Sequence, residues 1–131
     1  MAHAVTPFLM FEGVAEEAMN FYVSLFGGSE IRRVERNGPG EPGPEGTLKT
    51  ATFTLGGQEF TCFNSPTKHD FSFTPSISLF VECESPAELE ESFGRLADGG
   101  KVLMPLDDYG FSRRFGWVND RFGVSWQLNL S

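Results

Sequence analysis

Gln127 stands between Trp126 and Leu128, in an apolar run that follows the turn Asp120-Arg121-Phe122-Gly123. A long amide placed among apolar residues needs a hydrogen-bond partner when it is buried. Its oxygen is also a hard donor of the kind divalent cations take. Other residues able to do chemistry are few. Cys62 and Cys83 are the two cysteines, and they form no CxxC pair, which argues against a metal site built on thiolates. Cys62 is the candidate nucleophile, and the competing reading is a small buried hydrophobe. His3 and His69 make no His-x-x-x-His spacing. His69 falls in a polar loop, as a solvated residue or as a base at a cavity mouth. Arg113 and Arg114 could meet an anionic group, but neighbours on a strand face opposite ways, so only one could do so.

These residues must be positioned by short elements. Val5 to Phe11 reads as a strand buried on both faces. Val14 to Phe26 has helical spacing, with Val14, Ala18, Phe21, Tyr22 and Leu25 on one side. Gly27-Gly28 ends it. Glu30 to Glu35, Leu48 to Leu55 and Gln58 to Asn64 read as strands, the last two joined by a Gly56-Gly57 hairpin. Residues 37 to 46 hold four Gly and three Pro and form a loop. The order then repeats. Ser76 to Cys83 is a strand. Ser85-Pro86-Ala87-Glu88 opens a helix as a capping box, and Gly99-Gly100 closes it. Lys101 to Met104, Ser112 to Val118 and Val124 to Leu130 are the remaining strands. Leu25 and Leu96, like Gly28 and Gly99, stand 71 residues apart. Each half is too short to bury itself well, so one domain over 1–131 is expected, built of modules at about 1–65 and 70–131 that share a core.

The 131 residues carry a net charge of -8, which disfavours a nucleic-acid partner. No apolar run approaches the ~18 residues of a membrane span, and the first residues lack a basic-then-apolar leader. A cytoplasmic protein with reduced thiols and no membrane association is expected. Fourteen Phe suit a ring-lined pocket or a dense small core.

Paired βαβββ halves of this size resemble the vicinal oxygen chelate superfamily of glyoxalase I, extradiol dioxygenases, fosfomycin-resistance enzymes and bleomycin-binding proteins. The stretches TPFLMFEGVAEEAMNFYVSLFGGSEI (6–31), LGGQEFTCFN (55–64), SISLFVEC (76–83) and GWVNDRFGVSWQL (116–128) resemble its PhnB-like branch, often labelled 3-demethylubiquinone-9 3-methyltransferase-like. The resemblance covers nearly the whole chain. It implies an α+β fold in which two βαβββ modules form a curved mixed sheet around a cavity. It also implies a homodimer, which would cover the open sheet edges. The methyltransferase label finds no glycine-rich strand-to-helix turn here.

In metal-using relatives, four strand positions each supply one ligand. By resemblance these fall on Pro7, Phe60, Ser76 and Gln127. Pro and Phe cannot coordinate, and one amide does not make a site, so no metal and no cofactor are expected. A one-residue slip in the first half would bring Thr6 or Phe8, and Glu59 or Thr61, of which Glu59 alone is a good ligand. Strand alternation then gives a lining. Gln127, Ser125 and Asn129 would share the cavity face, with Val124, Trp126 and Leu128 under a helix. Ser76, Ser78 and Phe80 would face inward, and Ile77, Leu79 and Val81 would meet the helix. Phe60, Cys62 and Asn64 would line the cavity, with Phe115 and Trp117. The expected binding residues are Leu9, Phe60, Cys62, Asn64, Ser76, Phe115, Trp117 and Gln127, around a small organic ligand. The alternative is an enzyme of lyase, isomerase or transferase type on a small organic substrate.

Overall fold

The computed structural model describes all residues, Met1–Ser131, as two compact units, Met1–His69 and Asp70–Ser131. In the first, β1 (Phe8–Phe11), α1 (Ala15–Leu25), β2 (Glu30–Arg36), β3 (Leu48–Leu55) and β4 (Gln58–Asn64) follow one another. They form a four-stranded mixed sheet of order β1-β4-β3-β2, with β1 parallel to β4 and the other pairs antiparallel. β1 is shorter than the apolar run Val5 to Phe11. Pro7 has no N–H to give the ladder, so it contributes only its carbonyl, which accepts from Thr61 N at 3.0 Å. The hairpin at Gly56-Gly57 has φ of 56° and 89°, the two positive values a tight twisted turn requires.

The second unit repeats the order with β5 (Leu79–Glu82), α2 (Pro86–Ala97), β6 (Lys101–Asp107), β7 (Arg114–Asn119) and β8 (Ser125–Leu130). Its sheet runs β5-β8-β7-β6, with β5 parallel to β8. The fold class is therefore α+β with two βαβββ modules, and the strands form two separate four-stranded sheets. β5 starts three residues later than the apolar pattern suggests. Ser76 lies in a turn where Ile77 N donates to Thr74 O, and its hydroxyl shares a hydrogen bond of 2.7 Å with Thr74 Oγ1. Ile77, expected against the helix, is 73% exposed for the same reason. β6 runs on past Met104 through Pro105, which an edge strand tolerates, and its pairing with β7 shifts register twice.

The two helices are started differently. Ser85 caps α2 through its Oγ, which accepts from Glu88 N at 3.2 Å. The Glu88 carboxylate returns to Glu84 N at 2.8 Å, one residue before the expected Ser85 N–H. α1 has no side-chain cap of its own, because Val14 occupies the capping position. Asn64, at the end of β4, does this work from across the sheet. Its Oδ1 accepts from Gly13 N at 2.9 Å and Ala15 N at 3.0 Å, and its Nδ2 donates to Leu48 O at 3.1 Å.

Each sheet packs one face on its helix. In the first unit, Leu9, Phe11, Ala51, Phe53, Leu55, Phe60 and Cys62 are buried with Ala15, Ala18, Met19 and Tyr22 of α1. Phe53 and Phe60 are cross-strand partners and stack at 5.5 Å. In the second, Val118, Trp126, Leu128 and Leu130 are buried with Leu89, Phe93 and Leu96. Each such large apolar side chain contributes roughly 1.5–3 kcal/mol when fully buried. Gly116 lies under α2, where a β-carbon would stand 2.5 Å from the Phe93 ring and 2.7 Å from Leu106. No helix is long and apolar enough to cross a membrane.

Candidate functional site

The face of the second sheet turned away from α2 carries polar and aromatic residues together. Residues paired in register share a face. Trp117 pairs Gln127, Asn119 pairs Ser125, Phe115 pairs Asn129, and Phe80 pairs Gln127 from the other side. This agrees with the alternation read from the sequence for Ser125, Gln127, Asn129, Phe80, Phe115 and Trp117. Ser125 is 2% exposed and Gln127 half-buried. Trp117 Nε1 donates to Ser125 Oγ at 2.8 Å. Ser125 Oγ and Ser78 Oγ share a hydrogen bond of 2.7 Å. Gln127 Nε2 donates to Ser78 Oγ at 3.2 Å. Four side chains from β7, β8 and the segment before β5 thus form one chain of hydrogen bonds.

Rings border this chain. Phe115 is 5% exposed because Tyr109 and Phe111, from the loop after β6, stand edge-on to it at 6.1 and 5.1 Å. Phe80 lies 6.4 Å from Phe115 and is itself 56% exposed. The loop is held by Tyr109 OH donating to Pro105 O at 2.6 Å and by Ser112 Oγ donating to Asn129 Oδ1. Asn129 Nδ2 in turn donates to both oxygens of Glu82 at 3.1 Å. Asn119 Oδ1, on the same face, is buried with no hydrogen-bond partner.

The first unit corrects half of the expected lining. Leu9, Phe60, Cys62 and Asn64 lie on the face that packs against α1. The opposite face carries Phe8, Met10, Glu59, Thr61 and Phe63, with Phe8 and Phe63 rings 4.8 Å apart. The assumed alternation is off by one residue there. Phe63 and Phe8 made either face of these strands apolar enough to be the inner one. Asn64 also borders a cleft of about 370 Å³ formed with Pro42, Pro44, Thr50, Phe63 and Ser65. Ser76 lies outside β5 and joins no part of the Trp117–Gln127 chain.

Cys62 is buried completely, and burial pushes its thiol up to about 11, so it is a poor nucleophile in place. His69 Nε2 is 3.0 Å from Ser65 Oγ, and its backbone N–H donates to Glu12 Oε2 at 3.2 Å. Arg113 Nε donates to Ser131 O at 2.6 Å, and Arg114 pairs with Glu90 of α2 at 3.1 Å. Neither guanidinium belongs to the hydrogen-bonded chain.

The residues at the superfamily's ligand places do not fit a divalent ion. Pro7 offers a carbonyl already engaged by Thr61, Phe60 points to α1, and Ser76 lies in a turn. Gln127 is left with Ser78 and Ser125, all neutral, and no three His, Cys, Asp or Glu side chains come together. Neutral donors and acceptors in an aromatic frame are the kind of groups that orient small molecules in pockets. The sequence put Ser78 on the inner face, where it stands as the hub of the chain, without counting it among the binding residues, and it did not reveal Tyr109 and Phe111 as the border. Ser78 alternates with Phe80, a signal that was present. The loop rings had no periodicity to reveal them.

Residues 3–129 match the family model described as 3-demethylubiquinone-9 3-methyltransferase. A PhnB protein from Bacillus cereus of known structure is 56% identical, with a TM-score of 0.94 over 98% of this chain and all of that one. Protein PA1353 from Pseudomonas aeruginosa is 29% identical, with a TM-score of 0.84 over 99% and 98%. An uncharacterized Mycobacterium bovis protein is 31% identical over 95% of this chain and 81% of its own. FosX, a fosfomycin resistance protein from Listeria monocytogenes, shares the fold at 12% identity and a TM-score of 0.63, over 100% and 94%. With the matched model spanning nearly its whole length, and the fold that of the vicinal oxygen chelate proteins, the chain belongs to the PhnB-like 3-demethylubiquinone-9 3-methyltransferase family.

Proposed function

We propose that this protein binds a small, largely apolar organic molecule on the aromatic face of its second sheet, without the divalent ion that the superfamily commonly employs. The observation that carries this reading is the chain Trp117–Ser125–Ser78–Gln127 set beside Phe80, Phe111 and Phe115. Half-buried amide and hydroxyl groups in such a frame give orientation, and the rings give affinity. Methyl transfer from a nucleoside-bearing sulfonium donor has less support. The two strand-to-helix links are Glu12-Gly13-Val14 and Cys83-Glu84-Ser85, with one glycine between them, and neither forms the glycine-rich turn on which such a donor is typically held. Thiol catalysis by Cys62 is disfavoured by its burial. The same reading includes a homodimer, since Phe8 and Ile77, which take no part in the ligand face, are each more than half exposed.

The test joins composition to binding. Protein purified without chelator is expected to carry no stoichiometric divalent ion by elemental analysis. Native mass spectrometry identifies any organic molecule that co-purifies. Phe80→Ala and Gln127→Leu should each weaken its binding about tenfold with little change in thermal midpoint. One tightly held divalent ion per chain would overturn the metal-free reading. Unchanged affinity in both variants would move the ligand off this face.

A further inference from the structure

The direction of each hydrogen bond in the Trp117–Gln127 chain says what the chain leaves over, and this rests on the binding reading above. Ser125 Oγ accepts from the Trp117 indole and is 2% exposed, so its own proton must be spent inside the protein. The partner in reach is Ser78 Oγ at 2.7 Å, so Ser125 donates to Ser78. Ser78 also accepts from Gln127 Nε2 at 3.2 Å. With two donors pointing at its oxygen, the Ser78 hydroxyl has filled both lone pairs and keeps one O–H free to donate. Gln127, tied through Nε2, keeps Oε1 as an acceptor that no group of the chain engages. Both residues are half-buried and bonded to each other, so the free donor and free acceptor stand side by side.

Beside them stand Trp117 and the exposed ring of Phe80, which is the register partner of Gln127. No Lys, Arg or His takes part in the chain, and the Glu82 carboxylate of β5 is engaged by Asn129.

We infer that the ligand is a neutral aromatic compound carrying an adjacent carbonyl and N–H or O–H, its carbonyl accepting from Ser78 Oγ and its donor meeting Gln127 Oε1. A ring bearing a primary amide, or a hydroxyl next to a carbonyl, has this pattern. A compound with the acceptor alone satisfies one group and leaves Gln127 Oε1 desolvated without a partner, which costs binding. A carboxylate places two acceptors against one donor and one acceptor, and is rejected on the same ground.

Benzamide, acetophenone and ethylbenzene are probes of nearly one shape that carry both groups, the acceptor alone and neither. They are titrated into the full-length protein while the two indole N–H signals are followed by NMR. Trp117 should move on binding, and Trp126, buried and tied elsewhere, should stay. Benzamide should bind about five- to tenfold tighter than acetophenone, and Gln127→Leu should close that gap. Ser78→Ala should weaken benzamide and acetophenone and leave ethylbenzene unchanged, with folding monitored by the Trp126 signal. Equal affinity of benzamide and acetophenone for the native protein, or a gap that survives Gln127→Leu, overturns the pairing inference while leaving the aromatic face as the binding surface. If none of the three shifts Trp117 at millimolar concentration, the binding reading falls with it.

Discussion

At the scale of single residues, polar side chains have been put to structural work wherever the fold needs an acceptor. Asp120 is 3% exposed and accepts from Phe122 N, Val124 N and the Trp126 indole at 2.8, 3.1 and 2.9 Å. It shapes the turn before β8 and holds the largest buried side chain on that strand. Asp120→Ala strands three donors, and should cost about 2–4 kcal/mol in urea unfolding. Asn64 plays the comparable part at the start of α1, and this is why its place in the chain reads as a capping residue rather than a ligand contact. The cysteines behave as hydrophobes. Burial pushes both Cys62 and Cys83 up from 9.0 to about 11, with Glu88 and Glu82 adding to the rise at Cys83. The native state therefore keeps thiol protons that the unfolded chain releases. Their contribution to stability is complete below about pH 9 and is lost as pH rises toward about 11. At pH 8 both thiols should resist a disulfide reagent in the folded protein and react fully in denaturant. Fast reaction of Cys62 in the native state would contradict this.

At the scale of elements, the strands and helices were legible wherever propensity, capping and periodicity agreed. Ser85, Pro86 and Glu88 announce α2, and the structure places its start there with one shifted carboxylate bond. The edges were less legible. β1 is cut short by Pro7, and β5 by a Thr74–Ser76 turn that apolar residues at Ile77 and Leu79 disguise. Gly116 shows what a close element contact demands. A methyl there would collide with Phe93 of α2 and Leu106 of β6, so Gly116→Ala should cost about 1–3 kcal/mol through displaced packing. A thermal midpoint unchanged by that substitution would mean that α2 sits further from β7 than described. β2, by contrast, is a charged edge. Glu30 pairs Arg32, and Arg33 pairs Glu35, each at 2.8 Å on the surface. Such pairs add little stability, but charge along an edge strand discourages unwanted strand addition.

At the scale of the whole molecule, the proposed homodimer would cover Phe8 and Ile77, which are 61% and 73% exposed. Light scattering should report twice the 14.5 kDa chain mass at micromolar concentration, and a Phe8→Asp, Ile77→Asp double variant should shift the species toward monomer. A native protein that scatters as a monomer would remove the dimer from the reading. The repeat of βαβββ modules and the α+β class were determined by the sequence alone, because an offset of 71 residues and matching glycine pairs recur without any knowledge of packing. The facing of the second sheet was determined as well. Ser125, Gln127 and Asn129 alternate with Trp126, Leu128 and Leu130, so polarity itself separates the two faces. The facing of the first sheet was decided by tertiary structure. Phe60 and Cys62 alternate with Thr61 and Phe63, and either set could meet a helix. Strand alternation says which residues travel together, and it says nothing of which side they take. That side was settled by what α1 required: an acceptor from Asn64 at its uncapped start, and the Phe53–Phe60 stack beneath it. Gln127 was visible in the sequence as a long amide on an inner strand. Its bond to Ser78, and the donor and acceptor the pair leaves free, exist only because β5 lies parallel to β8 and brings the residue before one strand beside the middle of the other.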